Sequence, residues 1–220
     1  MLKSFLKRVD KRIFRPFRDR YSKTLEKEVI GTGCESLLDI GCGSNSPVKW
    51  FSHKLKHSVG VDAHEPSLQK SQKLGIHQEY KKVEDLLSLD KSFPPKSFDA
   101  VLASDLIEHL SKNDGEKLIA VMEKLAKKKV IIFTPNGFLP QTPYDDNKFQ
   151  AHISGWEVEE MQAKGYQVYG LSGWRPLKGE RAELKWWPKR LWERLSLFTE
   201  IVLVNNPKHS FEILCIKNVS

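Results

Sequence analysis

The chain has little that would cross-link it or carry it through a membrane. Only three cysteines occur in 220 residues, Cys34, Cys42 and Cys215. They are odd in number and lack the paired spacing of zinc ligands or a disulfide framework, which points to a reducing, cytoplasmic setting. Apolar runs such as Val130 to Phe133 fall far short of the ~20 residues a membrane-spanning helix needs. The first twenty residues are broken by charge every two or three positions, so they lack the apolar core of a signal peptide. There is no internal repeat and no low-complexity tract.

What is abundant is positive charge, and it is unevenly placed. Residues 1–20 hold eight Lys or Arg against Asp10 and Asp19, and so carry most of the net charge of +8. In the same stretch Leu2, Phe5, Leu6, Val9, Ile13 and Phe17 recur at helical steps, the pattern of a basic amphipathic helix. Two readings follow: the stripe packs on the domain, or it meets an anionic membrane surface. Residues 1–34 are accordingly read as a helical arm. Residues 35–220 are read as the main domain, with loop insertions at 135–151 and 172–208.

From residue 37 onward short apolar strands alternate with amphipathic helices, the signature of an α/β doubly wound sheet with helices on both faces. Strands are expected near 37–41, 58–62, 77–81, 98–103, 129–134, 166–171 and 211–217. Helices are expected at 46–56, 66–74 and 115–128, with a further helix capped by Ser154 and ending at Gly165. The insertion 172–208 carries Trp174, Trp186, Trp187 and Trp192. These aromatics suit either a satellite core beneath a helix or direct contact with a substrate.

The chemistry starts where Leu37 to Ile40 runs into Gly41-Cys42-Gly43. Glycines at the carboxyl end of a first strand let the backbone turn sharply and let a ligand approach closely. Asp62 closes the second strand about twenty residues later, where a carboxylate can accept from ribose hydroxyls. A dinucleotide fingerprint would need a third glycine at position 46, which is Ser46, so a diphosphate site is not supported.

Leu38 to Gly43, the acid Asp62, the block Phe98 to Leu110 and the run Val130 to Asn136 together resemble class I S-adenosylmethionine-dependent methyltransferases. His152 to Trp156 is similar to a segment of the subgroup acting on small molecules, quinones and glycans. The resemblance covers roughly residues 35–170. One departure is Asn45, where many members have a third glycine.

The resemblance implies a Rossmann-like, mostly parallel seven-stranded sheet. It implies S-adenosylmethionine as cofactor, leaving as S-adenosylhomocysteine, and cofactor contacts from Asp39, Gly41, Cys42, Gly43, Asp62, Asp85 and Ser104. Three of them have a plainer role beside it: Asp39 as an acid holding the loop, Gly41 as a turn glycine, Asp85 as a solvated or helix-capping acid.

Methyl transfer from a sulfonium is an in-line displacement governed by positioning, and it requires no metal. A hydroxyl acceptor benefits from a general base, for which Asp105, His109 and His152 are the candidates. His53, His57, His64 and His77 are too irregularly spaced for a shared metal site.

The expected activity is O-methylation of a small molecule, or of a glycan or lipid-linked precursor near the membrane. The alternatives are a non-catalytic S-adenosylmethionine-binding module and a nucleic-acid methyltransferase. The last lacks the Asn/Asp-Pro-Pro-Tyr/Phe pattern after the fourth strand, where this chain has Ser104-Asp105-Leu106-Ile107. Nucleic acid is therefore not an expected partner.

Overall fold

The computed structural model describes residues 20–142 and 150–219. The stripe at positions 2–17 lies outside them. Seven strands form one sheet in the order β3-β2-β1-β4-β5-β7-β6. They are β1 (Ser36–Ile40), β2 (His57–Asp62), β3 (Glu79–Lys82), β4 (Phe98–Ser104), β5 (Ala126–Pro135), β6 (Gln167–Trp174) and β7 (Ser210–Asn218). The first five are parallel to one another, whereas β7 runs antiparallel to both β5 and β6.

The central strands read as continuous apolar runs because both of their faces are covered. Leu38, Ile40, Val101, Ala103, Val130 and Ile132 point into one buried cluster. Leu37, Ala100, Leu102, Ile131 and Phe133 point into the other. The period of two along each strand thus divides one set of residues between two layers.

On the first face lie α3 (Leu89–Ser92), α4 (Lys112–Leu125) and α5 (Val158–Ala163). Leu118, Met122 and Leu125 of α4 and Met161 of α5 are fully buried there. On the second face lies α1 (Arg20–Val29), whose Leu25 and Val29 are fully buried and whose Tyr21 ring stacks on Phe133 at 3.9 Å. Helix α2 (Glu65–Lys73) connects β2 to the edge strand β3, and α6 (Lys189–Leu203) packs on β6.

Two expected helices are corrected. Residues 46–56 form two short 3₁₀ turns, Pro47–Trp50 and Ser52–Lys54, rather than an α-helix. Phe51 interrupts the pair at φ −139° and is wholly buried. The helix expected after Ser154 starts only at Val158. The Ser154 hydroxyl is used elsewhere, donating to the Ile107 carbonyl at 3.1 Å. Glu157 is then the N-cap residue, without a side-chain capping bond.

Candidate active site

The parallel strands β1, β2 and β4 all end at the same edge of the sheet, where open α/β folds bind ligands. Gly41 and Gly43 leave β1 with φ of +67° and +57°, a region that L side chains enter only at a cost. A Cβ on Gly41 would lie 2.7 Å from Leu106 Cδ1, so the β1 loop and the segment after β4 meet closely because no side chain stands between them.

Two acids hold this loop, Asp39 buried and Asp62 half-buried. Asp39 accepts the Ser46 hydroxyl at 2.5 Å, and His77 Nε2 lies 3.1 Å from the same carboxylate oxygen, out of hydrogen-bond alignment. Asp62 accepts the Gly43 N–H at 2.8 Å through one oxygen and the His64 N–H at 2.7 Å through the other. Burial raises the Asp62 pKa, opposed by those two N–H donors. Each oxygen keeps a second lone pair for a ligand. Burial also raises the thiol of Cys42, with the neighbouring Asp39 and Asp62 adding to it.

Asp85 caps the turn Leu86–Ser88, accepting from the Leu87 N–H at 3.0 Å and from the Ser88 hydroxyl. Those bonds lower its pKa. The capping role is therefore filled, and the residue still borders the cavity described next. Ser104 accepts from the Tyr21 hydroxyl at 2.8 Å and donates to Asp105 at 3.1 Å.

A cavity of about 750 Å³ runs along this edge. One end is lined by Asp39, Gly41, Gly43, Asp62 and Asp85, and the other by Asp105, His109, Gln141, Gln150 and His152. Its size suits a small-molecule pocket of roughly 300–1,000 Å³.

At the second end Asp105 sits at φ +50°, its N–H donating to the Phe133 carbonyl at 2.9 Å. Its carboxyl keeps surface open to the cavity while protein closes on it from the other sides. That enclosure, with Glu212 facing it, pushes its pKa up to about 7. Burial raises Glu212 too, against Lys178 and the Ser172 hydroxyl, which donates to it. Glu108 is 2 % exposed and its pKa is raised well above the ordinary range, by burial and by Asp105.

The rings of His109 and His152 meet edge to face at 4.7 Å. His109 Nδ1 is 3.0 Å from the Ala151 carbonyl and His152 Nδ1 is 2.8 Å from the Leu139 carbonyl. A carbonyl can only accept, so each Nδ1 carries the proton. Desolvation lowers both imidazole pKa values. Ile107–His109 is a single 3₁₀ turn, and it leaves the His109 ring on the cavity wall.

The sequence reading missed the meeting of His109 with His152 and the presence of Glu212. Glu212 did leave a signal, a lone acid inside the apolar run Phe211 to Ile216. The insertion 172–208 reaches the cavity through Arg181 and Ala182 rather than through its tryptophans. Trp186 and Trp192 pair at 5.0 Å, and Trp187 is 85 % exposed.

Comparison with known proteins agrees with this geometry. Residues 38–134 match the family model described as a methyltransferase domain. No curated protein matches the sequence. Among solved structures, a SAM-dependent methyltransferase from Archaeoglobus fulgidus superposes with a TM-score of 0.58 at 19% identity, over 96% of this chain and 98% of that one. The methyltransferase domain of a bacterial Hen1, CtHen1-C, gives 0.59 at 16%, over 93% and 99%. Magnesium protoporphyrin IX methyltransferase from Synechocystis PCC 6803, with bound SAH, gives 0.54 at 13%, over 94% and 85%. The open space beside Gly43 and the free lone pairs of Asp62 fit an adenosyl amino acid laid along the β1 edge. Residues 38–134 thus match a methyltransferase domain, and the chain has the fold seen in S-adenosylmethionine-dependent methyltransferases.

Proposed function

We propose that the chain transfers the methyl group to a hydroxyl oxygen of a small molecule, or of a glycan or lipid-linked precursor. The observation that carries this reading is the continuity of the cavity. The residues assigned to the cofactor and a polar end lined by Asp105, His109, Gln141, Gln150 and His152 share one space.

S-adenosylmethionine supplies an electrophilic methyl group on a sulfonium. The protein's task is to place the acceptor in line with it and to take one proton. Asp62 and the Gly41–Gly43 backbone hold the cofactor end. Asp105 takes the acceptor proton, since a carboxylate titrating near neutrality matches the pH at which it works and its carboxyl is pushed up to about 7. His109 and His152 shape the acceptor end, each fixed through Nδ1 to a backbone carbonyl.

An acceptor at a membrane surface is supported by α6. Leu191, Leu195, Phe198 and Val202 form one helical stripe and are 57%, 39%, 64% and 65% exposed. Exposed Trp187, Lys189 and Arg190 stand at the start of that helix. Apolar area flanked by cations is the pattern of interfacial binding to anionic lipid. No helix among the described residues is long and apolar enough to cross a membrane.

The experiment is transfer of labelled methyl groups from S-adenosylmethionine into a cell extract, fractionated into soluble and membrane pools, with the product identified by mass. A labelled ether in either pool supports the proposal, and a labelled nucleic acid overturns it. S-adenosylhomocysteine binding without any labelled acceptor would favour the binding-module alternative.

A further inference from the structure

We infer that Glu108, His109 and His152 form a binding site for one divalent transition-metal cation at the acceptor end of the cavity. One donor atom of each residue lies within 4.8 Å of the other two. They come from two distant places in the chain. Glu108 and His109 follow β4, whereas His152 belongs to the segment after β5 that folds back, with Ile153 and Ser154 donating their N–H groups to the Glu108 carbonyl at 2.9 and 3.1 Å.

Two observations favour a cation over simple packing, and the donor set indicates which. Both imidazoles are oriented by Nδ1 bonds to backbone carbonyls, which leaves the Nε2 lone pairs for a ligand; this is the usual second-layer arrangement of metal-binding histidines. Glu108 Oε2 accepts the Thr134 hydroxyl at 2.9 Å, but its Oε1 is buried without any hydrogen-bond partner. A buried carboxylate oxygen left unpaired is unfavourable, and a cation beside it removes the deficit. Finally, two imidazoles and one carboxylate suit zinc, iron, cobalt or manganese rather than magnesium or calcium, which prefer oxygen donors throughout.

Three protein ligands leave coordination positions open. All three residues border the cavity, so those positions face the acceptor. If the reading as an O-methyltransferase holds, on which this extension rests, the acceptors are oxygen compounds able to coordinate a cation. The metal site itself does not depend on that reading.

The test uses the tag-free full chain, stripped with a chelator and titrated calorimetrically with Zn²⁺ and separately with Mn²⁺, with neither cofactor nor acceptor present. One ion per chain is expected, with affinity reduced about tenfold or more in His109→Ala and in His152→Ala, and unchanged in His53→Ala, whose ring is exposed away from the site. Glu108→Gln should also weaken binding while keeping an oxygen for Thr134. Co²⁺ added to the wild-type chain should give a visible absorption band, a readout independent of how the variants fold. No Co²⁺ band, or wild-type affinity no greater than that of the His109/His152 double variant, would overturn the site.

Discussion

The Gly43 N–H donates to the Asp62 carboxylate at 2.8 Å, tying the loop after β1 to the end of β2. One carboxylate therefore shapes the glycine loop and also offers its remaining lone pairs to the cavity. Removing it should damage both. Asp62→Ala is expected to weaken S-adenosylhomocysteine binding by about 10- to 100-fold, the loss of one charge-assisted hydrogen bond of roughly 1.5–3 kcal/mol. The thermal shift produced by the ligand should shrink accordingly.

The same residue sets a pH dependence with two opposite signs. Burial raises its folded pKa above the ordinary value, so its ionised form is disfavoured by folding. The stability associated with Asp62 is greatest below the unfolded pKa and is lost as pH rises through the folded one. Ligand binding is expected to run the other way, because the ionised carboxylate is the stronger acceptor for a ribose hydroxyl while it holds the loop. Calorimetric titration of S-adenosylhomocysteine should show affinity falling as pH drops toward the carboxylate range, and Asp62→Asn should flatten that slope.

Gly41→Ala tests the close approach at the loop. The new methyl would meet Leu106 at 2.7 Å on a backbone of φ +67°. A cost of about 1–3 kcal/mol is expected from the conformation alone. Denaturant unfolding should show the midpoint falling, and S-adenosylhomocysteine should restore less stability than in the wild type.

Asp105→Asn should separate chemistry from binding. Loss of a positioned general base lowers turnover by roughly 10²–10⁴-fold, whereas the affinity for S-adenosylhomocysteine should stay within a few-fold. A variant that turns over at the wild-type rate would remove Asp105 from the proton path.

The exposed stripe on α6 makes a prediction about lipid. Flotation with anionic liposomes should carry the full chain upward, and the double variant Leu195→Ser, Phe198→Ser should float less. Neutral liposomes should bind both proteins weakly. Equal flotation of wild type and variant would dissociate α6 from the membrane.

The grouping of Gly41, Gly43 and Asp62 at one sheet edge was legible in the sequence because it is local. Gly41, Gly43 and Asp62 each announce themselves by residue type at the end of a strand, and the strands alternate with helices in a recognisable order. The acceptor end was not legible in the same way. His109 and His152 meet only because the Glu108 carbonyl receives two N–H groups from Ile153 and Ser154, a backbone pairing that no side-chain pattern records. Glu212 reaches the cavity because β7 runs antiparallel to β5 and brings it opposite Pro135, a register set by topology. The 3₁₀ turns at 47–54 were missed for a third reason: the burial of Phe51 overrode a helical spacing of apolar residues.

The central claim is that this cavity transfers a methyl group from S-adenosylmethionine. The most direct measurement follows the labelled methyl into acceptors of a cell extract, with wild type and Asp62→Ala run side by side and circular dichroism confirming that both are folded. The account predicts a product one methyl heavier with wild type and a loss of at least tenfold with Asp62→Ala. Label transferred equally well by both proteins would contradict it.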